Sequence, residues 1–165
     1  MKTVYKNRLL KLARLLREDA ANLKGVKFDL GYLVDLPSDP DVPLWSCGTT
    51  ACAVGLAAVS GAFKAQGLRL DTSRMGNVYI EGEEEAYGVG AARWSCEKTW
   101  IDAAQTLFGL SRAEVAYLFT DDPYVVEGKK TYGAKGERNV AKRIEGVAER
   151  GFPADVQDRW ERNWV

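Results

Sequence analysis

The stretch from Thr49 to Phe63 constrains the fold more than any other part of the sequence. It carries no charge, and its residues are nearly all small or apolar, with five alanines and two glycines. A helix that is apolar on most sides is stable only when other elements cover it. We therefore predict a buried central helix here. Because glycine costs about 1 kcal/mol inside a helix, Gly55 and Gly61 indicate close approach of another backbone.

Apolar residues at helical spacing predict further helices around this centre. These segments are residues 5–23, 95–109, 111–119 and 137–150. Ser111 and Glu114 have the spacing of a capping box, which predicts a helix start immediately after a tight turn at Gly109. The segment from Thr120 to Gly136 has no clear period and carries three lysines, which predicts a long loop.

Two short segments indicate a minor β element. Residues 77–80 and 83–87 flank Gly82 and are rich in residues that favour a pleated surface, so we expect them to pair as a hairpin. No repeat or linker divides the 165 residues into two cores. The predicted fold is mainly α: a single compact helical domain with a minor β-hairpin, covering residues 1–165.

Composition narrows the classes of function. Lysine plus arginine balance aspartate plus glutamate. We therefore expect no positive electrostatic field over the whole surface that would attract nucleic acid. Histidine is absent, which excludes histidine-based catalytic pairs and histidine-ligated metals. Three cysteines without an export signal favour reduced thiols in the cytoplasm. We expect no membrane span, no metal, no cofactor and no catalysis.

The junction before the buried helix is the candidate ligand site. Cys47, Gly48, Thr49 and Thr50 precede it, and N–H groups at a helix start can hold a phosphate or a carboxylate. The aromatic and cationic groups expected around it are those of Trp45, Arg93 and Trp94, with Trp100 nearby. Tryptophan faces stack on bases, and arginine pairs with phosphate.

Each of these residues also has a purely structural interpretation. Thr49 or Thr50 can cap its own helix, and Trp94 and Trp100 can be core residues. Cys47 and Cys52 can be buried thiols or, at a positive helix end, reactive ones. Both interpretations stay open at this stage.

The motif Cys-Gly-Thr-x-Ala-Cys-Ala-x-Gly at residues 47–55 also carries a resemblance. Shorter similarities accompany it at residues 28–30, 107–111, 118–119 and 140–145. In these segments the chain resembles a family of small uncharacterised proteins of phages and bacteria. Members often have tryptophan where Leu56 stands and methionine where Leu30 stands. The resemblance implies no reaction, only a context in which small accessory proteins counter host defence.

Together these patterns favour an anti-defence accessory protein that binds and sequesters a small phosphate-bearing nucleotide signal without chemistry. The alternative is an inhibitor or structural accessory that acts on a host or phage protein partner. A DNA-binding helix-turn-helix at residues 99–119 is a weaker hypothesis, because Arg112 is the only cation of the second helix. A nucleotide-degrading enzyme is also a weaker hypothesis, because the chain has no histidine and no recognisable catalytic motif. A homodimer is expected from the general frequency of symmetric dimers.

Overall fold

The computed structural model describes residues 1–18, 26–30, 34–35, 50–71, 77–81, 96–120 and 132–158. Its helices and strands, in chain order, are α1 (Thr3–Arg17), β1 (Lys27–Phe28), β2 (Val34–Asp35), β3 (Thr50–Ala51), α2 (Ala53–Val59), β4 (Leu68–Asp71), β5 (Asn77–Ile80), α3 (Cys96–Phe108), α4 (Arg112–Phe119) and α5 (Gly133–Arg150). These elements form a mainly helical domain with a small antiparallel sheet, as predicted.

Helices α1 and α5 form the most extensive contact between the described elements. Leu9, Leu12 and Leu16 recur at three- and four-residue spacing and are buried along α1. Val140 and Ile144 follow the same rule on α5 and are fully buried. Each helix therefore turns one apolar stripe inward, as amphipathic periodicity predicts.

Three phenylalanines connect the ends of the central helices. The Phe108 ring lies 5.8 Å from that of Phe63, edge to face, and 5.7 Å from that of Phe119. All three side chains are buried, so the segment after α2 and the ends of α3 and α4 share one apolar cluster. Aromatic ring pairs at these separations stabilise the fold beyond the contribution of burial alone.

The prediction that the central helix begins at Thr49 is wrong. Thr50 and Ala51 form a strand between β1, which runs parallel to it, and β2, which runs antiparallel. The helix begins at Ala53, after an extended Cys52 whose Sγ accepts a hydrogen bond from the N–H of Gly55 at 3.4 Å. Thr50 and Ala51 pair with strands that lie earlier in the sequence, and this pairing overrides the helical tendency of the local composition.

The predicted hairpin pairs with a different segment. β5 lies antiparallel to β4, with Leu68 opposite Ile80 and Leu70 opposite Val78. The alternation of apolar and polar residues in residues 68–71 matches the burial of Leu68, Val78 and Ile80 on one face. Residues 83–87, the predicted partner, lie outside the described part of the chain.

The helix ends at the turn between α3 and α4 follow the local signals, whereas the start of α5 does not. The Ser111–Glu114 capping box is formed in both directions, and Gly109 ends α3 with a φ of +64°. Helix α5, however, begins four residues before the predicted Glu137, at Gly133. Gly61 has a φ of +69° and no atom within 4 Å of a Cβ built on it. The left-handed backbone explains the glycine, and the predicted close approach of another backbone is wrong at Gly61. Gly61 lies after α2, which ends at Val59 and not at the predicted Phe63.

Candidate functional site

Most of the predicted ligand site lies outside the described residues. This applies to Trp45, Cys47, Gly48, Thr49, Arg93 and Trp94. Thr50 is described as backbone only, in the central strand β3 and three residues before the helix start. The predicted position of Thr50 at the helix start is therefore wrong, and a site at residues 45–49 stays a prediction.

The actual start of α2 is enclosed by the core. Ala53 and Val54 are fully buried, and the N–H groups of Gly55 and Leu56 already donate to Cys52. Burial raises the pKa of the Cys52 thiol to about 11, against a smaller opposing effect of backbone hydrogen bonds. At neutral pH this thiol is protonated, so Cys52 is a core residue and not a nucleophile.

A groove lies along the outer side of α5 and is lined by described residues. Its volume is about 620 Å³, within the usual range for small-molecule sites. We call it the α5 groove. Its lining residues are Tyr117, Asn139, Lys142, Arg143, Gly146, Val147, Arg150, Gly151, Phe152 and Pro153.

Helical spacing explains how the cations come to share this groove. Lys142, Arg143, Gly146 and Arg150 follow one another at intervals of one, three and four residues, so they lie on one side of α5. The buried stripe of α5 faces the other way, toward α1. Gly151, with a φ of +82°, ends the helix and turns the chain back along the groove.

Arg143 is held in place by α4. Its Nη1 donates to the carbonyl oxygen of Tyr117 at 2.6 Å, and its Cζ lies 5.9 Å from the centre of the Tyr117 ring. Burial lowers the pKa of Arg143, and the Tyr117 side chain acts in the opposite direction. Because the ordinary pKa of arginine is so high, the guanidinium still carries its charge at neutral pH. The groove thus contains a positioned, partly desolvated cation.

Two aromatic side chains form one wall beside Arg143. The rings of Tyr117 and Phe152 meet edge to face, with centroids 6.1 Å apart and an angle of 72° between their planes. Both residues are only partly buried, so ring surface stays accessible. This contact also fixes the segment after α5 against α4. Val156 of the same segment is buried.

Arg150 lies across the surface of Gly146. A Cβ built on Gly146 would lie 2.7 Å from Nη2 of Arg150, and beyond the helix's own backbone Arg150 is the only described residue within 4 Å of it. The missing side chain therefore lets the guanidinium fold back along the helix toward Arg143. Glu149 lies beside it, with Oε2 3.7 Å from Nη1, but both side chains are largely exposed. An exposed pair at this distance is weak and leaves Arg150 free to bind an anion.

Sequence reasoning missed the α5 groove. Cations on the outer side of an amphipathic helix ordinarily belong to a solvated surface, so Lys142, Arg143 and Arg150 gave no distinct signal. Phe152 and Tyr117, which turn this surface into a groove, are 35 positions apart in the sequence. The absence of a side chain at Gly146 between two arginines is the one local feature that pointed to it.

The predicted helix, turn and helix at residues 99–119 are present, but their exposure does not suit DNA reading. Ala113, Val115, Ala116, Leu118 and Phe119 of α4 are all buried. A recognition helix must instead present its side chains to the major groove. Five of the eight residues of α4 therefore serve the core, whereas Tyr117 lines the α5 groove.

Within the described residues, no three cysteine or carboxylate side chains come together as a metal site. No helix among them is both long and apolar enough to cross a bilayer. Comparison with models of known families, with curated proteins and with solved structures found no match.

Proposed function

We propose that this protein binds a small phosphate-bearing nucleotide in the α5 groove and sequesters it without chemistry. The observation that supports this most strongly is the charge of the groove: among the described residues, three cationic side chains line it, Lys142, Arg143 and Arg150, and no acidic one does. A concave site with one sign of charge concentrates anions, and arginine is the side chain best suited to pair with phosphate.

The character of the lining supports binding in preference to catalysis. No carboxylate, thiol or imidazole lines the described groove. Those groups carry most general acid–base and nucleophilic steps. In the context of the phage resemblance, a binder of this kind would act by holding a nucleotide signal of host defence away from its receptor.

The alternative, a protein partner, has a weaker basis in the described surface. Its large exposed hydrophobic residues are Met1, Val4 and Tyr132. Met1 and Val4 belong to the N-terminal end of the chain, whereas Tyr132 immediately precedes α5. Scattered apolar side chains are ordinary on protein surfaces and do not form the contiguous patch that marks an interface.

A thermal-shift and calorimetry panel tests the proposal. The ligands are cyclic dinucleotides, cyclic ADP-ribose and linear nucleotides, each against the wild type and the double variant Lys142→Gln/Arg150→Gln. A ligand at about 100 times its Kd stabilises a fold by about 2.7 kcal/mol, which raises the Tm by several degrees. We expect this shift for the wild type and its loss in the double variant.

Arg138→Gln is the matched control, because Arg138 is an exposed cation on the same helix that does not line the groove. The variant Thr49→Ala/Thr50→Ala tests the junction predicted from sequence. If Thr49→Ala/Thr50→Ala abolishes nucleotide binding and Lys142→Gln/Arg150→Gln retains it, the binding site is the junction. If no nucleotide produces a shift or heat, nucleotide binding is refuted and a protein partner becomes the working hypothesis.

A further inference from the structure

The α5 groove contains two chemically different halves, and their arrangement indicates one class of ligand. On the premise that the proposed function holds, we infer that the groove binds a nucleoside diphosphate group, with the diphosphate between Arg143 and Arg150 and the base against Phe152 and Tyr117. Such a group occurs in simple nucleoside diphosphates and within larger dinucleotides.

The diphosphate position follows from Gly146 and the two arginines. Arg143 and Arg150 are seven residues apart, a separation of about 10 Å along a helix axis, which is too far for both to hold one phosphate. The Arg150 guanidinium, however, lies over Gly146, where a Cβ would come within 2.7 Å of its Nη2. Gly146 is three residues from Arg143, so the Arg150 guanidinium lies closer to Arg143 along the helix than its own backbone does. Two adjacent phosphates can then each pair with one guanidinium.

The charges of the groove match those of a diphosphate. Arg143 is held by the Tyr117 carbonyl at 2.6 Å and supplies a preorganised positive charge. Lys142 is exposed beside it and adds a cation that can adjust to the ligand. A monophosphate would leave one of the arginines without a partner, whereas a diphosphate engages both.

The aromatic wall supplies the second half of the site. The Tyr117 ring lies 5.9 Å from the Arg143 guanidinium and 6.1 Å from the Phe152 ring. Aromatic ring surface is therefore within one nucleoside's reach of the cation. Stacking on such a surface tolerates different bases, because every base has a π face. The groove volume of about 620 Å³ suits a compact ligand better than a polymer.

Isothermal titration of the full chain with four probes tests this division: adenosine, AMP, ADP and inorganic pyrophosphate. We expect ADP to bind most tightly, with AMP and pyrophosphate each weaker and adenosine weakest. Arg150→Gln should weaken ADP by roughly tenfold, the loss expected for one charge-assisted contact, and leave adenosine unchanged. Phe152→Leu should weaken ADP and adenosine by the same factor and leave pyrophosphate unchanged. Arg138→Gln should change none of the four.

Several results would overturn the inference in distinguishable ways. If AMP binds as tightly as ADP, or if Arg150→Gln weakens both equally, the diphosphate position is wrong while nucleotide binding survives. If Phe152→Leu leaves ADP unchanged, the base does not lie on the aromatic wall. If none of the phosphate-bearing probes binds, the proposed function fails together with the inference. Circular dichroism of each variant confirms that the helical fold is intact.

Discussion

Replacing Gly146 by alanine should strengthen the fold and weaken the proposed ligand site at the same time. Gly146 lies inside α5 and carries no φ in the left-handed region, so alanine fits its backbone. Alanine is favoured over glycine in a helix interior by about 0.8–1.0 kcal/mol. The only obstacle to the new methyl group is Nη2 of Arg150 at 2.7 Å. That side chain is 77% exposed and can move to another rotamer at little cost.

The expected net gain in the free energy of unfolding is therefore about 0.5–1 kcal/mol, or a rise in Tm of roughly 1–4 °C for a domain of this size. Urea titration followed by circular dichroism measures it. Arg150→Ala provides the matched background, because it removes the one neighbour of the added methyl. The gain from Gly146→Ala should then reach its full value, and the difference between the two backgrounds measures the contact with Arg150.

The same variant should lower the affinity for ADP, because the methyl occupies the space between the two guanidinium groups and displaces Arg150. A structural defect would lower stability and binding together, so opposite signs identify a role in the site. A loss of more than about 0.5 kcal/mol in both backgrounds would refute the reasoning, since Arg150 could not then be the group that the methyl meets.

Two further predictions concern the scaffold. Gly109→Ala should cost about 1–2 kcal/mol for the left-handed backbone, and about 1–3 kcal/mol more because its Cβ would overlap the Tyr5 ring. Gly61→Ala should show only the cost of the left-handed backbone, because Gly61 has a similar φ and open space around it. Equal losses of stability for the two variants in urea titration would contradict this. The hydrogen bonds from Arg17 to Glu145, at 2.6 and 2.5 Å, lower the pKa of that carboxyl. The stabilisation from this ion pair is therefore present above the ordinary glutamate pKa and is lost as the pH falls through the lowered pKa of Glu145. Glu145→Gln should be slightly less stable than the wild type at neutral pH and equally stable in acid. A difference in stability that persists in acid would contradict the ion pair.

The elements that local rules govern were predictable from sequence. The turn between α3 and α4 depends on Gly109, Ser111 and Glu114, which act within a few residues of one another. The position of this turn could therefore be predicted from the sequence. The inward face of α1, with Leu9 and Leu12, followed from periodicity for the same reason.

The strands were not predictable in the same way. Thr50 and Ala51 have the composition of a helix start, yet they pair with Lys27 and Phe28, which are far away in the sequence. Nothing local distinguishes a residue that extends its helix from one that completes a sheet. The register of β4 against β5 depended likewise on which segment packing brought alongside Asn77–Ile80.

The α5 groove belongs wholly to the tertiary structure. Its cations were visible in the sequence as an ordinary polar helix face, and its aromatic residues as an unrelated pair. Only the packing of α4 against α5 places the Tyr117 carbonyl on Arg143 and the Tyr117 ring against Phe152. Sequence periodicity determines which side of a helix faces outward, because that depends on neighbours three and four residues away. What meets that side depends on long-range packing, and here that packing turned an exposed surface into a candidate site.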